Sequence, residues 1–500
     1  VIELKFNNED ELSRFAQDFA LILKAGDCIA LEGDLGAGKT TFARAVIRAA
    51  YGDFDKKIEV PSPTFTLVQL YDTSPAIAHF DLYRIADAEE LDELGLEPAL
   101  EAGAALIEWP SKAAEALPPD LVVIRLTEDS NKPDARLMTI GGNEDFLKRL
   151  KRSMRIRAFL ADNGFGQADR SSFPGDASAR NYEFIHIDDE ERPLILMDAP
   201  KLPQEPALFD GLTYKQIVHL SEEVSAFVAV SEMLREQGFT APEIYAQDLP
   251  QGLLLIEHLG EGKIVTDDNT PIKDRYLAAV EVLADIHGKR WNNVWTFPDG
   301  QTHTIPRYDE RAMRTGLSLL PDWWGKENDL SETLRDELFT LWTPIFRRFQ
   351  SGYNDLIIRD FHSPNIIWRG DKTGNDRIGI IDHQDALIGP GAYDVASLMQ
   401  DARTIVPSKL QAEILNTYCA RRRRHQQGFN EEQSRLDIAT LCAFRSSRLL
   451  GLWVRLDVRD SKHRFRQYEA PTRAYLAQSL SHPQLGKLRQ WYVKAGVIDE

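Results

Sequence analysis

The sequence predicts two domains of different class, an α/β domain over residues 1–150 and an α+β domain of two lobes over residues 151–500. Three observations carry this. Five hundred residues exceed what one hydrophobic core usually serves. In the first part short apolar strands alternate with helical stretches, whereas the second part opens with strand-like segments and then turns largely helical. Between them Gly141-Gly142 leads into a charged, helix-like run, NEDFLKRLKRSMRIRAFLADNG, that stops at Asn163-Gly164. The seam is expected near residue 150, inside or just before that run. Neither a repeat nor a low-complexity linker separates the halves.

Composition narrows the function classes. A hydrophobic fraction of 43% and a charged fraction of 27% are those of an ordinary soluble protein. No stretch approaches the ~18 consecutive apolar residues of a membrane helix. The opening VIELKFNNEDELSRF lacks a basic region followed by an apolar one, so a cytoplasmic protein is expected. Cys28, Cys419 and Cys442 are too scattered for a disulfide framework or zinc site, and buried, inert thiols are expected. The net charge is −19, of which about −13 falls in the first 150 residues. That balance argues against broad nucleic-acid binding, so the first domain would reach RNA only through a partner. The Arg421–Arg424 run reads as a solvated helix face rather than a nucleic-acid contact.

In the first domain an apolar strand at Cys28–Glu32 precedes a helix from about Lys39 to Ala50. Further strands are expected at Thr66–Tyr71, Ala76–Phe80 and Ala104–Glu108, with a pair at 121–126 and 136–140. The turn after the first strand reads Gly33-Asp34-Leu35-Gly36-Ala37-Gly38-Lys39-Thr40, matching G-x-x-x-x-G-K-[ST]. Glycines let successive backbone N–H groups converge on phosphate oxygens, and the following helix adds its positive end. Lys39 would reach the β and γ phosphates and the Thr40 hydroxyl would hold Mg²⁺, with Thr41 next in the same turn. This domain is therefore expected to bind ATP with Mg²⁺.

The segments VPSPTFTLVQLYD (60–72), HFDLYR (79–84) and LIEWPSK (106–112) resemble the TsaE family of small P-loop ATPases across almost all of residues 1–150. The resemblance implies work beside a complex that makes threonylcarbamoyladenosine in tRNA, with TsaB- and TsaD-like partners. It implies that Thr64 is a switch residue near Mg²⁺ and the γ-phosphate, and that Asp81 is the Walker-B-like carboxylate. Glu108 would join the metal-side residues and Trp109 would stack on adenine. As alternatives, Asp81 would be a helix N-cap and Trp109 a core aromatic.

The second domain opens with strand-like segments at Asn181–Ile187, Pro193–Asp198 and Gly252–Glu257, which with residues 151–260 form a β-rich lobe; residues 261–500 form a helical one. Within it, IIRDFHSPNIIWR (357–369) is followed by IGIIDHQD. A kinase centre needs one carboxylate at the acceptor hydroxyl, with an amide and a second carboxylate holding Mg²⁺ on the ATP phosphates. Asp360 fits the first role, and Asn365 and Asp382 fit the others. His362 would orient the loop or fill a structural position.

GPGAYDVASLMQD (389–401), FPGDASARNYEFI (173–185), PLILMDAP (193–200), GLLLIEHLG (252–260) and LADIHG (283–288) resemble the aminoglycoside-phosphotransferase-like kinases over most of residues 155–460. The resemblance implies a bilobal, protein-kinase-like fold in which Asp394 braces the catalytic loop and Glu257, with the backbone near His258–Leu259, meets adenine. The GDAS-x-R hairpin and LMDAP strand most resemble the anomeric sugar kinases of the AmgK type, which phosphorylate N-acetylmuramate and N-acetylglucosamine at C1 in cell-wall recycling. An amino alcohol or aminoglycoside acceptor, or a nucleotide-binding pseudokinase that regulates the ATPase, stay as alternatives. Two departures stand out. The strand that usually carries a phosphate-pairing Lys has Met197 or Asp198 there, with Lys201 beyond a proline, so Arg180 is expected to supply the charge. Ile358 stands where the superfamily often has His. Glu223, within SEEVSAFVAVSEML, is expected on a helix as the acid of a Lys–Glu pair, or as a solvated surface residue. Trp291–Trp295 and Trp323-Trp324 would line the acceptor pocket or pack the lobe.

Overall fold

The computed structural model describes the chain except residues 54–56, 88–89, 130–131, 174–179, 189 and 202–204, with only the backbone at 92 and 133. Its first sheet is assembled from β1 (Ile2–Phe6), β2 (Cys28–Glu32), β3 (Val68–Tyr71), β4 (Ala76–Asp81), β5 (Gly103–Glu108), β6 (Val122–Asp129) and β7 (Lys132–Gly142). Their order is β1-β7-β6-β2-β5-β4-β3. The central strand β2 runs parallel to both β5 and β6, and β4 runs parallel to β5. All six residues of β5 are buried, as expected of a parallel strand covered on both faces. β6 and β7 form the antiparallel pair expected at 121–126 and 136–140. β3 starts at Val68 rather than Thr66, because Leu67 takes a left-handed conformation and its N–H closes a turn on the Pro63 carbonyl.

Helix α1 (Glu9–Ala20) begins at Asn8, whose side chain accepts from the Glu11 N–H, and three acidic residues occupy its first turn. Its apolar stripe of Leu12, Phe15, Ala16 and Phe19 meets α2 (Lys39–Ala50), where Phe19 packs edge-on to Phe42 at 5.2 Å.

The chain divides into two compact units, Val1–Asp198 and Ala199–Glu500. This division lies well past the composition shift near residue 150, and the contacts around α1 explain why. The Glu144–Asp162 helix is capped by Asn143 and buries Phe146, Leu150, Ile156 and Leu160 along one side. Beyond it, β8 (Asp169–Ser172), β9 (Asn181–His186) and β10 (Leu194–Asp198) form an antiparallel meander. Asp18 of α1, only 4% exposed, accepts from Arg157 of that helix at 2.7 and 2.9 Å and from Arg170 of β8 at 2.8 Å. Arg170 is 1% exposed and also grips Glu183 of β9 with two nitrogens, at 2.8 and 2.9 Å. Gln17 donates to Asp169 at 2.8 Å. One buried carboxylate thus fastens α1 to elements more than a hundred residues downstream.

In the second unit, β11 (Ile244–Asp248) and β12 (Leu253–Ile256) pair antiparallel, and long helices then dominate. The Glu431–Val458 helix runs through the core and brings Phe444 against Trp342, Phe346 and Tyr308. Trp324 is buried in this core, with Trp291, Trp295 and Trp323 packed against it. Two short strand pairs, Asp355–Ile357 with Leu387–Gly389 and Ile366–Trp368 with Ile378–Ile380, frame the loop that carries Asp360. Glu223 precedes its helix, which starts at Ser225. The Ser221 hydroxyl bonds the Glu223 carbonyl and the Ser221 N–H bonds Asp385, holding the segment as a turn. Among the described residues no helix is long and apolar enough to cross a membrane.

Candidate active sites

The first site forms where β2 ends and α2 begins. Gly33, Gly36 and Gly38 all have positive φ, and a Cβ at Gly33 would stand 2.4 Å from the Leu126 carbonyl oxygen. Lys39 folds back over its own loop, donating to the carbonyls of Gly33 (2.7 Å) and Asp34 (2.9 Å), and its Nζ lies 3.9 Å from the centre of the Trp109 ring. Burial holds this ammonium below its usual range, against the pull of Glu108, Asp81 and Asp34.

The parallel pairing of β4 with β5 puts Asp81 opposite Glu108. Thr40 donates to Glu108 at 2.8 Å and Thr64 donates to Asp81 at 2.6 Å, so each carboxylate is tied to a hydroxyl from another segment. Asp81 also accepts the Tyr83 N–H, the N-cap contact weighed from the sequence. His79, fully buried, holds the second Glu108 oxygen at 2.9 Å. It lies in the HFDLYR segment, but sequence reasoning assigned it no role. Trp109 has a left-handed backbone and its ring packs 5.1 Å from Tyr83. Leu35, the tip of the loop, is 87% exposed, while Ala37 and Lys39 are buried. Hydroxyl and carboxylate oxygens are donors that suit Mg²⁺. Among the described residues no three His, Cys, Asp or Glu side chains form a metal-sized group, so an ion here would take its remaining ligands from phosphate and water.

The second site lies in the Ala199–Glu500 unit. Asn365 donates to the Asp360 carbonyl at 3.0 Å and to Asp382 Oδ2 at 3.3 Å, joining the two halves of the predicted set. Gln384 holds the other Asp382 oxygen at 2.7 Å. Asp382 and Arg359 adopt left-handed backbone conformations, φ 56° and 75°, strain of the kind that clusters at functional sites. Asn365 and Asp382 again offer oxygen donors of the kind Mg²⁺ takes.

Asp394, fully buried, accepts the N–H groups of Ile358 (2.6 Å) and Arg359 (2.8 Å), the two residues before Asp360. Burial pushes its carboxyl up to about 8, against those two donors. His287 Nε2 lies 3.5 Å away and its Nδ1 meets the Tyr418 hydroxyl at 2.9 Å; burial holds this imidazole down at about 3. A Cβ at Gly391 would stand 2.6 Å from His287 Nδ1, which accounts for the glycine at that position. His362 donates its backbone N–H to the Asp360 carbonyl, and burial lowers its ring pKa. Asp401 takes both the N–H and the hydroxyl of Ser363, at 2.9 and 2.5 Å. His287 and Asp401 lie within segments quoted for the resemblance, and Gln384 follows Asp382 by two, but none had a role assigned.

Glu257 sits after β12. Its carboxylate lies 3.7 Å from Arg369 and 3.8 Å from Arg235, and its N–H donates to the Glu243 carbonyl. Glu223 pairs with Lys201 at 3.0 Å, both largely exposed. Arg180 directly precedes β9, and the rest of the GDASA stretch before it lies outside the described residues.

A family model for the threonylcarbamoyl adenosine biosynthesis protein TsaE matches residues 6–137, and one for the Phosphotransferase enzyme family matches residues 169–429. An N-acetylmuramate/N-acetylglucosamine kinase of Caulobacter vibrioides is 31% identical over 349 residues, covering 67% of this chain and 94% of that one. A tRNA threonylcarbamoyladenosine biosynthesis protein TsaE of Rickettsia felis is 40% identical over 152 residues, covering 30% of this chain and 87% of that one. A second N-acetylmuramate/N-acetylglucosamine kinase, from Pseudomonas aeruginosa, is 29% identical over 278 residues, 52% of this chain and 68% of that one. With the residues of both candidate sites in the segments these matches cover, the chain belongs to the TsaE family through residues 6–137 and to the Phosphotransferase enzyme family through residues 169–429.

Proposed function

We propose that the chain is a bifunctional, cytoplasmic enzyme. Residues 1–150 would be an ATPase that supports threonylcarbamoyladenosine formation in tRNA with TsaB- and TsaD-like partners. Residues 151–500 would transfer phosphate from ATP to the anomeric hydroxyl of N-acetylmuramate or N-acetylglucosamine. The observation that carries the reading is that one chain holds two sets of hydrogen-bonded residues of the types that suit phosphate and Mg²⁺. Lys39, Thr40, Thr64, Asp81 and Glu108 form one, and Asp360, Asn365 and Asp382 the other.

In the first set, ATP would draw the Lys39 ammonium off the Gly33 and Asp34 carbonyls onto the phosphates, beneath the backbone N–H groups of residues 34–41. Thr40, Asp81 and Glu108 would hold Mg²⁺, which screens phosphate charge. In the second set, Asp360 would take the acceptor hydroxyl's proton as that oxygen attacks the γ-phosphorus and ADP departs. Asp394 holds the two preceding N–H groups and so fixes the direction of the loop. Asn365 and Asp382 would hold the kinase-site Mg²⁺, Glu257 and the following backbone would flank adenine, and Arg180 would stand in for the strand lysine.

The test is transfer of labelled γ-phosphate from ATP to each sugar, separated chromatographically and set beside ethanolamine and an aminoglycoside. Label on either sugar and on neither of the others is expected. Label on another acceptor alone would overturn the sugar assignment.

A further inference from the structure

Two arginines of the second unit carry charge that a neutral acceptor does not need, and one of them interacts electrostatically with Asp360. Arg448 and Arg455 stand seven residues, about two turns, apart on the Glu431–Val458 helix, and so share one face. Arg448 is half-buried. Its Cδ runs 3.5 Å from where a side chain on Gly316 would begin. It makes no hydrogen bond or ion pair with any described residue, and it interacts electrostatically with Tyr393, Tyr214, Tyr308 and Asp360. Burial works against its charge, yet those groups keep the guanidinium firmly protonated. The Arg455 guanidinium lies 5.1 Å from the centre of the Tyr214 ring, and its Nε is buried without a partner. The Tyr308 and Tyr393 rings pack edge to face at 5.6 Å.

Two neighbouring arginines are matched. Arg421 grips Asp285 with two nitrogens, and Arg445 donates to the Gln400 carbonyl. A half-buried guanidinium with no hydrogen-bonded partner is destabilising in the free enzyme. It suits a ligand that brings a carboxylate, which the planar guanidinium can meet with two parallel N–H donors.

We infer that Arg448, supported by Arg455, binds a carboxylate carried by the acceptor beside Asp360. The enzyme therefore favours the acidic sugar N-acetylmuramate, which bears a lactyl carboxylate, over the neutral N-acetylglucosamine. The inference rests on the sugar-kinase reading and adds the chemical feature by which that site selects its substrate. The tyrosine hydroxyls offer neutral hydrogen bonds available to both sugars, so the discrimination falls to the arginines.

The test measures kcat/KM of the full chain for both sugars in wild type, Arg448→Gln, Arg448→Lys and Arg455→Gln. The wild type is expected to favour N-acetylmuramate. Arg448→Gln should lower the ratio of the two kcat/KM values about tenfold or more, the order of one charge-assisted hydrogen bond, chiefly through KM for the acid. Arg448→Lys, which keeps the charge but loses the fork, should fall between. A ratio unchanged by Arg448→Gln and Arg455→Gln, whatever the absolute rates, would overturn the inference. If Arg448→Gln does not fold, an unchanged ratio in Arg455→Gln and Arg448→Lys overturns it alone. A wild type that phosphorylates neither sugar overturns the acceptor reading itself, and this inference with it; that outcome is distinct from an unchanged ratio.

Discussion

Replacing Asp18 by Asn would remove the charge that ties α1 to the Glu144–Asp162 helix and β8 while keeping the side chain's shape. Asp18 meets two guanidiniums, and neither is left wholly alone. Arg170 retains Glu183, and Arg157 retains the carbonyls of Gly166 and Ala168 at 3.1 and 2.7 Å. Breaking a buried ion pair costs about 3–5 kcal/mol, and these residual partners put the expectation at the lower end, about 3 kcal/mol. In a unit of this size each kcal/mol moves the melting temperature by about 2–4 °C, so a fall of about 6–12 °C is expected. Thermal unfolding followed by circular dichroism at pH 7, at one scan rate, measures it. Glu32→Gln, which breaks the exposed pair with Arg125, serves as control and should cost no more than ~1 kcal/mol. Asp18→Asn and Arg157→Gln should also be non-additive, with a coupling of about 1 kcal/mol or more. A shift no larger than that of the control, or strict additivity, would rule out Asp18 as the anchor of α1. The α1 contact would then be incidental.

Three further outcomes follow from the two units. His287 is held at about 3 by burial against an ordinary value near 6.5, so the unfolded state takes up the proton first. Stability from this group is present above pH 6.5 and is lost as the pH falls towards 3; His287→Gln should flatten that acid limb in denaturant titrations, and an unaltered limb would contradict it. Gly33→Ala would force a Cβ to within 2.4 Å of the Leu126 carbonyl at a φ of 145°, so nucleotide binding at the first site should be lost. Calorimetric titration of the Asp382→Ala background with Mg-ATP checks this, and retained binding would show that the loop yields. The three thiols are buried and pushed up to about 12, 11 and 12 at Cys28, Cys419 and Cys442. A thiol reagent should therefore find none in the native protein and all three in urea.

The parts of the sites legible in the sequence are those that lie close together along the chain. Gly33–Thr40 is a contiguous turn whose chemistry is written in its spacing, and Asp360, Asn365 and Asp382 flank one short hairpin, Ile366–Trp368 with Ile378–Ile380. The Asp81–Glu108 pairing depends on two parallel strands coming into register, and the partner each carboxylate finds, Thr64 or Thr40, follows only from that register. Asp18 and Arg170 are 152 residues apart, and no local pattern marks a surface-like Asp as a buried anchor. Glu223 shows the opposite failure. Apolar periodicity extends a helix through it, but Ser221 spends its hydroxyl and N–H on a turn, and tertiary hydrogen bonds overrule the pattern. The seam near residue 150 marks the change in composition, and the compact unit runs on to Asp198 because the Asp18 network binds the first strands of the second family segment to α1.

Two independent ATP-handling centres in one chain are distinguished by ³¹P NMR of the full protein with Mg-ATP and N-acetylmuramate. Wild type should yield ADP and a sugar phosphate whose signal is split by the anomeric proton. Asp360→Asn should lose the sugar signal while slow ADP formation persists, and Lys39→Ala should keep the sugar signal while that slow background disappears. Loss of the sugar phosphate in Lys39→Ala as well as Asp360→Asn, with the protein folded, would contradict the claim and make the two centres one machine.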